Sequence, residues 1–433
     1  MRSPPAIGLD FGTTNSAVAW AAPERAPVLP RFASRDGPLA TFRSVLYFDR
    51  EDGSGPVSSH AGPAAIERYL DSEEKAGRLI QSLKSFLASR LFRSTAIFGR
   101  SYRLEDLITM LLRALREEAE ADLGVAVERA VVGRPVHFVR AEGEDAETLA
   151  LARLGAALRS AGFREVRFEY EPVGAAYHFE STLDRDALIL IGDFGGGTSD
   201  FSLLRVGPER RGAKQRADAI LGHAGVGIAG DAFDGKLVRF LVAPHLGRGA
   251  EFCSTFGRVL PVPAWIYTQL ERWHHVSFLK SRKTLQILLD LRRETLEPEK
   301  LANLLHLVQR DLGFLLFRAV EETKRALSEK EATLFRFEHE DLVIEEEVTR
   351  ARFEGWIGEE LGALAGAVDE LMTRTEIEPA RVEHVFLTGG SSFVPAVRRI
   401  FEERFGAGKL RFGGEFTSVA SGLALRALED AAQ

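Results

Sequence analysis

Asp10 is followed by Gly12, Thr13, Thr14 and Asn15, and Asp193 is followed by Gly195, Gly196, Gly197 and Thr198, with Asp200 just beyond. Glycines let backbone N–H groups come close to phosphate oxygens and neighbouring hydroxyls add donors, so each loop has the composition of a di- or triphosphate cradle. The aspartate ahead of each loop sits at the end of an apolar run. There it suits a hydrated Mg2+, an ion that takes few direct protein ligands and keeps several waters. One glycine-rich turn by itself is as consistent with closing a hairpin as with holding a phosphate. Two with the same order of acid, glycine and hydroxyl predict opposed loops clamping one phosphate chain. A third loop, Thr388, Gly389, Gly390, Ser391 and Ser392, follows the apolar "HVFL" and precedes the helical "PAVRRIFEERF". It offers backbone donors at a helix start to a phosphate or a nucleoside.

These loops need strands to carry them. "IGLDFGTTNSAVAW", starting at Ile7, and "ALILIGDFGGGTSDFSLLRV", starting at Ala187, share a strand-turn-strand pattern. Their likeness predicts an internal duplication, with each of two lobes opening on the same hairpin. The second stretch is apolar at nearly every position before and after its glycines, as in strands buried on both faces. Helical periodicity marks Glu105–Leu123, Glu144–Ala161, Asp234–Val242, Lys300–Leu327, Arg350–Arg374 and Pro395–Phe405. Thr349 is placed as an N-cap and Gly162 as a helix stop. Residues 23–62, rich in Pro, Gly, Ser and Asp, read as loops and short strands. Strands alternating with helices predict an α/β fold.

The bulk properties narrow the function. At 433 residues the chain suits about two to three structural units. Hydrophobic residues at 45% and charged residues at 27% match a packed globular chain. A net charge of -7 gives no basic footprint for nucleic acid. Cys253 is the only cysteine, so no intrachain disulfide forms. The first residues lack the basic start and long apolar run of a secretory signal. No window supplies the roughly 18 apolar residues of a membrane span. The expectation is a cytoplasmic protein with neither membrane nor nucleic acid among its partners.

The three loops, together with "AVVGRPVHF", "YEPVGAAYHFE", "GIAGDAFDGKLV", "VEETKRALS" and "TRARFEGW", resemble in their order the ATPase domain of the DnaK-type, seventy-kilodalton heat-shock chaperones. The resemblance covers nearly the whole chain and is nearest to shorter homologues of the YegD type, which stop after the ATPase region. It implies the actin-like ATPase fold, α/β, with two lobes, each a mixed sheet flanked by helices, and a nucleotide cleft. Lobe I is expected over 1–187, with a smaller subdomain at about 40–123, and lobe II over 188–412, with an enlarged helical subdomain at about 229–345. Residues 413–433 are expected to return to lobe I, and no peptide-binding domain is expected.

The resemblance also implies roles. Asp10 and Asp193 would lie near Mg2+, Thr13 and Thr14 at the phosphates, and Glu171 would orient the attacking water. Phosphoryl transfer is mostly positioning and charge stabilisation. Lys84 in "LIQSLKSFLAS" is the candidate for the terminal phosphate, with Thr198 balancing charge beside it. Asp200 is a candidate for a monovalent ion such as K+. Gly230 belongs to the loop that closes the second lobe. Glu321, Lys324 and Ser328, at helical spacing, would surround adenosine, and Gly389, Gly390, Ser391 and Phe393 complete the nucleoside side.

Three departures stand out. Phe393 replaces the arginine usual over the adenine, Phe416 replaces an aspartate, and Asp231 and Ala232 replace an acidic pair. The segment 242–317 is longer than its counterpart in the family, and His274 and His275 lack metal-ligand spacing. The reading is a slow ATPase converting ATP to ADP and phosphate, with its nucleotide state coupled to lobe closure and to an unidentified protein partner. Alternatives are an ATP-binding regulator that hydrolyses little, a sugar-kinase-like phosphotransferase and a filament-forming protein.

Overall fold

The computed structural model describes residues 6–23, 25–35, 37–50, 55–72, 77–139, 141–180, 183–210, 219–254, 257–411 and 417–432. Two compact units result. The first comprises Met1–Gly227, Leu364–Ser392 and Arg399–Gln433; the second comprises Ile228–Ala363 and Phe393–Arg398.

The first unit is built on two five-stranded sheets. One contains β1 (Ala6–Asp10), β2 (Asn15–Trp20), β3 (Phe42–Arg43), β4 (Arg129–Arg134) and β5 (Glu165–Tyr170), in the order β5-β4-β1-β2-β3. The other contains β6 (Ala187–Phe194), β7 (Ser199–Val206), β8 (Ile220–Val226), β9 (His384–Thr388) and β10 (Leu410–Arg411), in the order β8-β7-β6-β9-β10. The plan is the same in both. The leading strand pairs antiparallel with the next in sequence and parallel with a strand reached by a long crossover. A second parallel strand follows on that side and a third antiparallel strand on the other. Asp10 faces Ala17 across the first hairpin, and Asp193 faces Asp200 across the second, so both hairpins enclose loops of equal length. The two sheets thus repeat one strand plan within the first unit.

In β6 every residue except Asp193 is buried. Each fully buried Ile or Leu there contributes roughly 1.5–3 kcal/mol through removal from water. Two helices pack beside the sheets, α1 (Glu171–Glu180) and α2 (Ser418–Ala432). Val131, Val173, Ile189, Ile191, Val419 and Leu423 share one core with them. The helices meet at glycines: a Cβ on Gly422 would lie 1.7 Å from the Gly174 carbonyl oxygen. Gly8 of β1 lets α2 approach equally closely, since a Cβ there would meet the Ala420 oxygen at 2.1 Å.

The helix Leu104–Leu123 buries Leu104, Leu107, Ile108, Leu111, Leu112 and Leu115, the spacing of one helical face. Glu144–Ser160 ends before Gly162, which has a φ of +105° and turns the chain where a side chain would strain it.

Among the described residues the second unit is mainly helical with two hairpins. Helix Gly230–Leu237 starts earlier than periodicity suggested and runs into a π-helical turn, Val238–Val242. The periodic stretch Lys300–Leu327 is two helices, Pro298–Gln309 and Gly313–Glu329. The break falls where Asp311 adopts a φ of +54°; the apolar pattern persists because both helices keep facing a core, so periodicity did not register the turn. Arg350–Arg374 is likewise divided, into Arg350–Trp356 and Gly358–Thr375. Thr349 caps the first of these, its side chain accepting from the Arg352 N–H. Within the long insertion Tyr267 is buried and donates to the Leu246 carbonyl at 3.1 Å, whereas Trp265 is exposed. Among the described residues no helix is long and apolar enough to cross a membrane.

Candidate functional site

Lys84 sits in a 3-10 turn, Leu83–Phe86, entered through Ser82 at a φ of 56°. The left-handed Ser82 is completely buried. It turns the chain sharply out of strand Arg78–Gln81, so that Lys84 points inward instead of into solvent. Its Nζ donates to Glu171 Oε1 at 2.8 Å, with both side chains about nine-tenths buried. Glu171 is the first residue of α1, where Pro172 follows at no hydrogen-bonding cost. Gly133 at the end of β4 makes room for it: a Cβ there would lie 3.0 Å from Glu171 Cγ.

Asp10 and Asp193, at the ends of β1 and β6, act electrostatically on the same pair. Burial, then the charges of Glu171 and Asp193, push Asp10 up to about 8 against the pull of Lys84. Burial and Glu171 push Asp193 up to about 6, opposed by the hydrogen bond from Thr388 and by Lys84. That bond runs from Thr388 Oγ1 to Asp193 Oδ1 at 2.8 Å. Asp200 is also buried; desolvation, Glu171 and Asp193 push it up to about 8, while Thr198 and Lys84 oppose. Burial alone would lower the Lys84 ammonium, but Glu171, Asp10 and Asp193 outweigh it and hold Lys84 above its ordinary value. Four carboxyl groups thus act electrostatically around the Lys84 ammonium.

The loops next to these groups are tight. A Cβ on Gly12 would lie 1.9 Å from the Asn15 carbonyl oxygen, and the Gly12 N–H donates to Ser16 Oγ at 3.3 Å. Ser16 in turn meets Ser44 at 2.9 Å. In the second loop the Gly195 N–H donates to the Thr198 carbonyl at 2.9 Å, and Gly196 and Gly197 are partly exposed. Thr13, Thr14 and Asn15 are partly exposed as residues, yet Thr14 Oγ1 is buried with no hydrogen-bond partner. A buried hydroxyl without a partner is costly. Gly389 has a φ of +84° and a Cβ there would meet the Phe194 oxygen at 2.0 Å, which brings the third loop against the second. Gly390 and the buried Ser391 follow in a 3-10 turn.

The remaining candidates lie in the second unit. Lys324 Nζ donates to Asp234 at 2.8 Å and to the Gly230 carbonyl at 3.4 Å. Burial lowers the Lys324 ammonium less than Asp234 and Glu321 raise it. Ser328 Oγ donates to the Lys324 carbonyl at 3.1 Å. Arg398 places its guanidinium 5.6 Å from the Phe393 ring centroid, a cation–π distance. Phe416 lies outside the described residues. Sequence reasoning singled out neither Asp234, which is 90 positions from its partner, nor Gly133, whose value depends on what packs above it. Along the sequence Thr388 belongs to the third loop, and its hold on Asp193 comes from the pairing of β9 with β6.

A family model described as Hsp70 protein matches residues 77–247 and 309–428. The chaperone protein DnaK of Thermotoga petrophila is 25% identical over 424 residues, covering 97% of this chain and 59% of that protein. DnaK of Thermus thermophilus is 26% identical, covering 98% and 60%. The chain therefore spans less than two thirds of the length of these curated relatives.

Proposed function

As the chain belongs to the Hsp70 protein family, whose fold is the actin-like ATPase fold, we propose that it is an ATP-binding, Mg-dependent module that hydrolyses ATP slowly to ADP and phosphate. The observation that carries this is the buried Lys84–Glu171 pair at 2.8 Å, surrounded by Asp10, Asp193 and Asp200.

The residues fit Mg2+. Hard carboxylate oxygens in excess of the local cations call for a divalent ion, and Asp10 and Asp193 would hold it through water. When bound, it would neutralise charge on the phosphates. Glu171 would orient the attacking water, which forms a new bond to the terminal phosphorus as the bond to the departing diphosphate breaks. Lys84 would hold the Glu171 carboxylate in place through their hydrogen bond and face the charge developing on the terminal phosphate, with Thr198 beside it. Thr13, the unpartnered Thr14 hydroxyl and the backbone of Gly12, Gly195, Gly196 and Gly197 are assigned to the phosphates. Gly230, Glu321, Lys324, Ser328, Gly389, Gly390, Ser391 and Phe393 are assigned to the nucleoside. Asp200 is assigned to a monovalent cation, K+ being one.

We assign a chaperone-like role, in which nucleotide state governs lobe closure and the binding of a protein partner in the cytoplasm. The test is phosphate release from Mg-ATP by wild type, Lys84→Ala and Asp193→Asn, with calorimetric nucleotide binding on each. Turnover in wild type and its loss in both variants supports the reading. Tight binding without wild-type turnover points to a regulator that works by closure alone, and absence of binding defeats the nucleotide assignment.

A further inference from the structure

His306 lies near the end of helix Pro298–Gln309, and His339 ends strand Ala332–His339. Their ring nitrogens, Nε2 and Nδ1, share a hydrogen bond at 3.0 Å. Glu340 Oε2 lies 3.8 Å from His306 Nε2. One ligand atom from each residue falls within 4.8 Å of the other two, and all three residues belong to the second unit. None takes part in the proposed ATPase site.

We propose that His306, His339 and Glu340 form a binding site for a transition-metal dication, Zn2+ in the first instance, that ties the helix to the hairpin. The donor set of two imidazoles and one carboxylate is one that Zn2+ accepts, leaving a fourth position for water. At Zn–N distances of about 2.0–2.1 Å, two nitrogens on a tetrahedral ion stand about 3.3 Å apart. The imidazoles therefore need to open by a few tenths of an ångström and to turn the nitrogens of their present hydrogen bond toward the ion, the bridging proton passing to the other ring nitrogen or to solvent. Glu340 is half exposed and can close its gap by side-chain rotation.

The surroundings are consistent with that geometry. Arg310 approaches the other carboxylate oxygen, Oε1, at 3.5 Å, leaving Oε2 on the histidine side, as an outer partner that orients a ligand does. Glu340 occupies the hairpin turn, between the pair His339 and Leu342, with a φ of +52°. That position normally selects Gly, Asn or Asp; a glutamate held there accepts strain and gains reach toward His306. Because His306 and His339 are 33 positions apart, no ligand-spacing pattern in the sequence announces the site.

The experiment uses the full chain, stripped with chelator and then held in excess Mg2+ so that the aspartate cluster is occupied. Zn2+ is titrated calorimetrically, and Co2+ is added separately to read visible absorption. Wild type is expected to bind one equivalent, with an absorption band of a four-coordinate Co2+ site. His306→Ala and His339→Ala should each weaken Zn2+ binding at least tenfold and remove the band, and Glu340→Gln should weaken it about tenfold. Circular dichroism and the thermal midpoint without metal establish that the variants fold. Absence of saturable binding in wild type overturns the proposal, as does binding that persists undiminished in both histidine variants, which would place the metal elsewhere.

Discussion

Lys84 is the cation that the buried Glu171 and Asp200 and the partly buried Asp10 and Asp193 share, so its removal has two separable effects. Glu171 would be left buried without its partner, and breaking a buried pair costs about 3–5 kcal/mol; urea unfolding of Lys84→Ala at neutral pH should show a loss of that order. Phosphate release should fall by roughly 10²–10³-fold, the usual effect of deleting a group that meets developing charge. Glu171→Gln separates the two, since it keeps the volume and removes one repelling charge from Asp10 and Asp193. Turnover should drop, and the metal-free protein should also lose stability, though less than in Lys84→Ala, because Lys84 keeps Asp10 and Asp193 as counter-charges.

The same carboxylates set a pH dependence. Asp10, Asp193 and Asp200 are raised from an ordinary value of 3.8 to about 8, 6 and 8. The folded state then holds more protons than the unfolded state between about pH 4 and pH 8. Their contribution to stability is fully present below pH 4 and is lost as pH rises through 8. In chelator the urea midpoint should therefore gain less, or fall, on moving from pH 5 to pH 8, and Mg2+ with nucleotide should flatten the curve with proton release. A midpoint unaffected by Mg2+ and nucleotide at pH 8 would contradict the assignment of these carboxylates to the ion.

At the scale of elements, the contact between α1 and α2 determines where Glu171 stands. Ala is ordinarily better than Gly inside a helix by about 1 kcal/mol. At Gly422 that gain is overridden, because the new methyl would lie 1.7 Å from the Gly174 carbonyl oxygen and force the helices apart. Gly422→Ala should destabilise by about 1–3 kcal/mol and reduce turnover along with stability. Gly366, inside Gly358–Thr375, has open space where a methyl would stand, with no neighbouring atom within 4 Å, so Gly366→Ala should stabilise by about 0.5–1 kcal/mol. Denaturant midpoints of the two variants test the packing argument, since their intrinsic propensities are the same.

For the molecule as a whole, a ligand that binds only the folded state raises stability by mass action. Mg-ADP at a hundredfold excess over its Kd should add about 2.7 kcal/mol, visible as a concentration-dependent rise in Tm. Asp193→Asn should remove most of that rise while leaving the ligand-free Tm close to wild type or higher, because a raised carboxylate has been neutralised. The net charge of -7 works against long-range attraction to polyanions.

The duplicated hairpins were legible in the sequence because they are local. An apolar run, an aspartate, a glycine-rich turn and a second apolar run follow one another within a few residues, and the register Asp193 to Asp200 needs no distant partner. The helices along Leu104–Leu123 and Glu144–Ser160 were legible for the same reason, as periodicity is local. The helix breaks at Asp311 and Ile357 were not, since the apolar stripe runs on through them. Lys84 and Glu171 are 87 positions apart, Lys324 and Asp234 90, and His306 and His339 33. Sheet order, strand register and a glycine-to-glycine helix crossing decide those distances. The order of residues along the chain sets which groups are present and which local turns carry them. Which charges share a site follows from the folded arrangement alone, because it depends on packing between segments far apart in the chain.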